Sequence, residues 1–154
     1  MFLTIDTDTP MTTPTPTTTP MDEFVRLKGE GNALMDAGEL QGAIEKYTEA
    51  IAASQGISDY KECCKAAAVA LGNRSLAQLR LGNAQKAMED GMRCKARDPT
   101  YHTAQLRIDE ANKVLAAESE AAEAAAARNR RRNWALLAAA AVVVAAAAIA
   151  AAGV

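Results

Sequence analysis

The chain has 154 residues, a net charge of −2 and an aromatic content of 4%. That length holds one small domain with appendages. The near-neutral charge argues against a nucleic-acid protein, and the abundant alanine favours close-packed helices over a sheet. Three cysteines, Cys63, Cys64 and Cys94, have no metal-ligand spacing and read as free thiols in a reducing compartment, small core or boundary residues rather than redox centres. A single histidine, His102, argues against a zinc site. With no nucleophile–base pair, glycine-rich phosphate loop or metal cluster in view, neither catalysis nor a cofactor is expected.

Residues 1–20 are rich in Thr and Pro and lack the basic start and apolar stretch of a signal peptide, so they read as a disordered extension. The ordered part begins at Met21, where Asp22 and Glu23 suit a helix N-terminus. The stretch from Leu27 to Ile51 reads as two amphipathic helices joined at Asp36-Ala37-Gly38. Gly31 marks a close approach on the first helix, with Leu27, Leu34 and Met35 a turn away. On the second, Ala43, Ile44, Tyr47, Ala50 and Ile51 form one apolar stripe.

A lone hairpin cannot bury that stripe, which predicts a second copy. Asp59 or Ser58 caps a long helix running to Arg80, with Gly72 inside it as a second point of close packing. Asn73 on this helix precedes a turn at Gly82, and Ala87, Met88 and Gly91 follow on a fourth helix closed by Pro99. Gly38 and Gly82 are matched turn glycines, 44 residues apart. After Pro99 a fifth helical pattern, with Tyr101, Ala104, Leu106 and Ile108 on its apolar side, runs to about Ala127 with no further turn glycine.

Residues 134–154 carry no charged side chain and no polar group but the indole of Trp134. At about 1.5 Å per residue they span ~31 Å, the hydrocarbon thickness of a bilayer. A soluble alanine-rich helix here would be apolar on every side with no partner. Arg128, Arg130, Arg131 and Arg132 immediately before Trp134 place the basic flank on the untranslocated side. The expectation is a C-terminal membrane anchor with the preceding domain in the cytosol. The domains expected are therefore an extension at 1–20, a helical domain at 21–116, a charged helical extension at 117–133 and the anchor at 134–154. The same arginines suit anionic lipid better than nucleic acid.

Gly31, Leu34, Gly38, Ala43, Tyr47 and Ala50 in the first unit, and Gly82, Ala87 and Pro99 in the second, resemble the tetratricopeptide repeat, a helix–turn–helix unit of 34 residues. In the second unit Gly91 and Cys94 stand where that family has an aromatic and an alanine. The wider spacing implies about ten extra residues around Ser54 to Lys65. The fold so implied is all-α, about two and a half hairpin repeats over residues 24–116 with an extended last helix and a transmembrane helix.

A narrower resemblance is to the family's chaperone-binding members, which hold the terminal carboxylates of the 70- and 90-kilodalton heat-shock chaperones in a two-carboxylate clamp. Lys28 and Asn32 match its first pair, Asn73 its third place and Arg107 its last, while Thr103 stands where a lysine is usual. The resemblance implies a cytosol-facing co-chaperone or receptor, in protein targeting or import, that binds acidic C-terminal peptides without cofactor. The rival expectation is a membrane-tethered adaptor that grips another peptide without reading a carboxylate. The sequon at Asn73-Arg74-Ser75 is accidental in a cytosolic domain. The arginine-flanked, alanine-rich anchor favours the mitochondrial outer membrane, with the endoplasmic reticulum and peroxisome also permitted.

Overall fold

The computed structural model describes residues 18–153, so the expectation for residues 1–17 lies outside the described residues. The described residues form five α-helices and no strand: α1 (Pro20–Ala37), α2 (Leu40–Ser54), α3 (Tyr60–Arg80), α4 (Ala84–Arg97) and α5 (Thr103–Ala151). α1 begins one residue earlier than the acidic pair suggested. Thr19 is its N-cap, with its hydroxyl accepting from the Asp22 backbone N–H at 3.1 Å and the Asp22 carboxylate accepting from the Thr19 N–H at 3.2 Å. The Thr19 hydroxyl also donates to the Asp22 carboxylate at 2.7 Å, and this bond, with that from the Thr19 N–H, holds the Asp22 carboxyl below its usual range. At α3 the capping residue is Asp59, whose carboxylate accepts from the Glu62 N–H at 2.7 Å.

Both expected turn glycines close their helices in the left-handed region, Gly38 at φ 80° and Gly82 at φ 86°. A side chain there would be strained, which is why glycine ends both hairpins. Successive helices pack antiparallel. Gly31 faces Tyr47 across α1 and α2; Ser75 and Ala87 are joined across α3 and α4; Gly91 faces Ile108 across α4 and α5. α1 and α5 each pack on α3 and not on each other, so α3 lies between them.

The core is built mostly of small side chains. One cluster, Phe24, Leu27, Ala50, Ala66 and Ala70, joins α1, α2 and α3. A second centres on Tyr47 and Ala77. A third, Ala68, Leu71, Cys94 and Ala104, joins α3, α4 and α5. With alanine at so many crossings the helices approach closely, and each approach is then intolerant of added atoms.

A buried ion pair fixes α3 against its neighbours. Arg74 Nε and Nη2 donate to the two Asp90 carboxylate oxygens at 2.8 and 2.7 Å, and its Nη1 donates to Thr48 Oγ1 at 2.9 Å. One guanidinium thereby ties α2, α3 and α4.

The stalk and the apolar segment, read separately in the sequence, are parts of one helix. No glycine or proline interrupts Thr103 to Ala151, and alanine dominates it. Ala111 is the last buried residue of α5. Its C-terminal part is long and apolar enough to cross a membrane, and none of that segment is buried against the rest of the chain.

Candidate functional site

Asn32 and Asn73 meet. α1 presents Asn32 one residue after Gly31, where the missing Cβ lets the Tyr47 ring lie against the helix. A Cβ built there would stand 2.6 Å from Tyr47 Cε1. The phenol reaches past Gly31 and donates to Asn32 Oδ1 at 2.8 Å, while Asn73 Nδ2 donates to the same oxygen at 3.2 Å. Both lone pairs of that oxygen are thus engaged, which leaves the Asn32 amide N–H groups as its free donors. Burial, and secondarily the Asp36 carboxylate, raise the Tyr47 phenol above its ordinary pKa, so it remains a protonated donor.

These three side chains line a groove of about 280 Å³ together with Met35, Asp36, Leu76 and Arg80. Arg80 was not anticipated as part of this site. The signal was available: it follows Asn73 by two helical turns and so shares its face of α3. With Asp36 on α1 and Arg80 on α3, the groove has a carboxylate and a guanidinium beside its central amides.

The other anticipated residues do not line this groove. Lys28 is half-buried one turn before Asn32, with its ammonium 5.9 Å from the Phe24 ring centroid, a cation–π contact. Among the described residues it forms no ion pair. Thr103 is the first residue of α5, whose N-terminus has no side-chain cap and whose Ala104 N–H is bonded to the Tyr101 carbonyl at 3.0 Å. Arg107, one turn on, is 16% exposed and already paired, its Nη1 donating to Glu110 Oε2 at 2.6 Å. Its Nε is buried without a hydrogen-bond partner among the described residues.

The second candidate set, Arg128, Arg130, Arg131, Arg132 and Trp134, lies on the exposed part of α5. At about 100° per residue Arg128, Arg131 and Arg132 share one face of the helix, and Arg130 points away from it. Ser75 of the Asn73-Arg74-Ser75 sequon is buried and donates to the Ala87 carbonyl at 2.8 Å, while Asn73 and Arg74 are half-buried.

Cys64 and Cys94 are buried, Cys63 is half-buried, and all three are free. Cys94 donates from Sγ to the Ala68 carbonyl at 3.0 Å, and burial pushes its thiol up to about 11. Among the described residues no group of three or more His, Cys, Asp or Glu side chains is placed to hold a metal ion. No protein-family model matches the chain.

Proposed function

We propose that this protein is a non-catalytic, membrane-tethered adaptor of tetratricopeptide-repeat type that captures an acidic C-terminal peptide, with heat-shock chaperone termini of the 70- and 90-kilodalton classes as the ligand class. The observation that carries the reading is the shared Asn32 oxygen. With Tyr47 and Asn73 donating to it, the remaining asparagine hydrogens are donors, and donors between flanking cations suit a carboxylate. Lys28 and Arg107 supply those cations. The Thr103 hydroxyl offers a hydrogen bond where the resembling family has a lysine. The helical pairs α1/α2 and α3/α4, closed by matched glycines, support the repeat reading, with α5 as half of a third unit.

α5 also supports the tether. From Arg107 to Trp134 it rises about 40 Å, so an upright helix holds the groove clear of the bilayer on the cytosolic side. The arginine cluster and Trp134 then sit at the interface. The mitochondrial outer membrane is the favoured location. Imaging residues 128–154 fused to a fluorescent protein tests it, and a reticular or peroxisomal pattern refutes it.

The deciding experiment for binding uses an acidic peptide with a free or an amidated C-terminus, titrated into the full chain in micelles. The free acid binds more tightly; equal affinity refutes carboxylate capture. Lys28→Ala and Arg107→Ala each weaken binding by about 1.5–3 kcal/mol, the scale of a hydrogen bond to a charged group, and added salt weakens it further. One observation favours a second reading, an adaptor that grips an extended peptide along the groove without its terminus: Arg107 already holds Glu110. Under that reading Arg80→Ala weakens binding and Arg107→Ala does not.

A further inference from the structure

A second groove, of about 400 Å³, lies on the other side of α3, between α2 and α4. Ile51 and Leu71 give it an apolar lining, and Arg74, Arg93 and Arg97 give it positive charge. The Arg74 charge is spent on Asp90. Arg93 and Arg97 are exposed, lie one turn apart on α4, and form no ion pair among the described residues. Two unneutralised guanidinium groups beside an apolar lining call for an occupant with apolar side chains followed by two negative charges.

Outside the described helices, the chain offers such a segment near its start. Phe2, Leu3 and Ile5 stand together near the start, followed by Asp6 and Asp8, and no basic residue occurs before Arg26. The described chain also starts beside this groove. Pro20 packs on Gly56, where a built Cβ would be 3.1 Å from the proline ring, and the preceding residue, Gln55, lines the groove. Residues 9–19 between the two are Thr and Pro except for Met11. At about 3.1 Å per residue such a tether reaches ~34 Å, more than the groove requires.

We infer that the Phe2–Asp8 segment folds back into the α2–α4 groove, with its apolar residues against Ile51 and Leu71 and Asp6 and Asp8 against Arg93 and Arg97. Membrane lipid is a poor occupant. Arg93 and Arg97 lie level with the start of α5, since Lys95 on α4 donates to Gln105 at 2.6 Å, and an upright α5 puts Trp134 about 40 Å beyond. The inference does not depend on what the Asn32–Asn73 groove binds.

The test is photo-crosslinking of the full chain in phospholipid nanodiscs, with p-benzoylphenylalanine in place of Phe2 and the adducts mapped by mass spectrometry. Crosslinks fall within one chain, on α2 around Ile51 and Gln55 and on α4 around Ala96. Reversing the segment's charge (Asp6→Lys with Asp8→Lys) lowers that yield about fivefold or more, as expected for two exposed ion pairs made repulsive. Arg93→Glu with Arg97→Glu does the same, and combining the two reversals restores it. The segment reversal leaves the folded helices untouched, so its effect is read without a folding defect. Adducts in the Asn32–Asn73 groove, adducts between differently isotope-labelled chains, or a yield indifferent to the segment reversal would overturn the inference.

Discussion

Arg74→Met tests how the fold positions Asn73, its neighbour on α3. The Arg74 and Asp90 side chains are 16% and 6% exposed, and they exchange two hydrogen bonds of 2.8 and 2.7 Å. Methionine keeps much of the side chain's length but leaves Asp90 charged, buried and unpartnered. Breaking a buried pair from one side costs about 3–5 kcal/mol, because the remaining charge has lost its compensation. For a domain of this size each kcal/mol lowers Tm by about 4–8 °C, so the midpoint should fall by ~12 °C or more. The double variant Arg74→Met/Asp90→Leu removes both charges and should recover most of the loss, since replacing a whole buried pair by apolar groups is often neutral. Thermal melts of the full chain in micelles, followed by circular dichroism, give all three midpoints. A fall below about 3 °C for Arg74→Met, or a double variant as unstable as the single, would refute the claim that this pair locks α3 between α2 and α4.

Gly31→Ala places a methyl against the Tyr47 ring, destabilises the domain by about 1–3 kcal/mol in urea titrations, and lowers peptide affinity by pushing the phenol off Asn32. Tyr47→Phe removes the donor to Asn32 Oδ1 and frees that amide to rotate; a loss of about 1 kcal/mol of stability and weaker peptide binding by calorimetry are expected. Cys94, its thiol raised from 9.0 to about 11, should resist alkylation at pH 8 until the domain is unfolded. The folded state holds the proton more tightly than the unfolded chain. Its contribution to stability is therefore fully present below pH 9.0 and lost as pH rises through about 11, a decline that Cys94→Ala should lack.

Features set by the backbone were legible in the sequence. Gly38 and Gly82 marked two turns because a left-handed residue is needed to end those helices, and both adopt it. Gly31 and Gly72 marked close approaches, and each faces an aromatic ring, Tyr47 and Tyr101. The 3.6-residue period found the apolar stripe of α2, which is buried at Ala43, Ile44, Tyr47 and Ala50. What stayed hidden depends on which of several partners a side chain takes. Arg74 pairs with a residue 16 positions away, Tyr47 sends its hydroxyl to Asn32, and Arg107 takes Glu110. Periodicity assigns each of these to a face and is silent on its partner. The unbroken α5 was missed for a different reason: the change from charged to apolar composition suggested two elements, but a helix ends at a breaker, and none occurs there.

The Arg107–Glu110 pair bears on how the proposed site would work. A ligand carboxylate that engages the bonded Nη1 exchanges one carboxylate for another, so the charge-assisted bond contributes little to net affinity while Glu110 moves out to water. Arg107 Nε is different. It is buried and unpartnered, and a ligand atom reaching it would relieve a group that has lost its hydration. Lys28, free of ion pairs among the described residues, gives up only a cation–π contact and offers its full charge. The three donors differ in what binding costs them, and the asparagine amides, held by Tyr47, cost least because they are already oriented. Affinity should therefore rest first on Asn32 and Asn73, next on Lys28, and on Arg107 chiefly through its buried Nε.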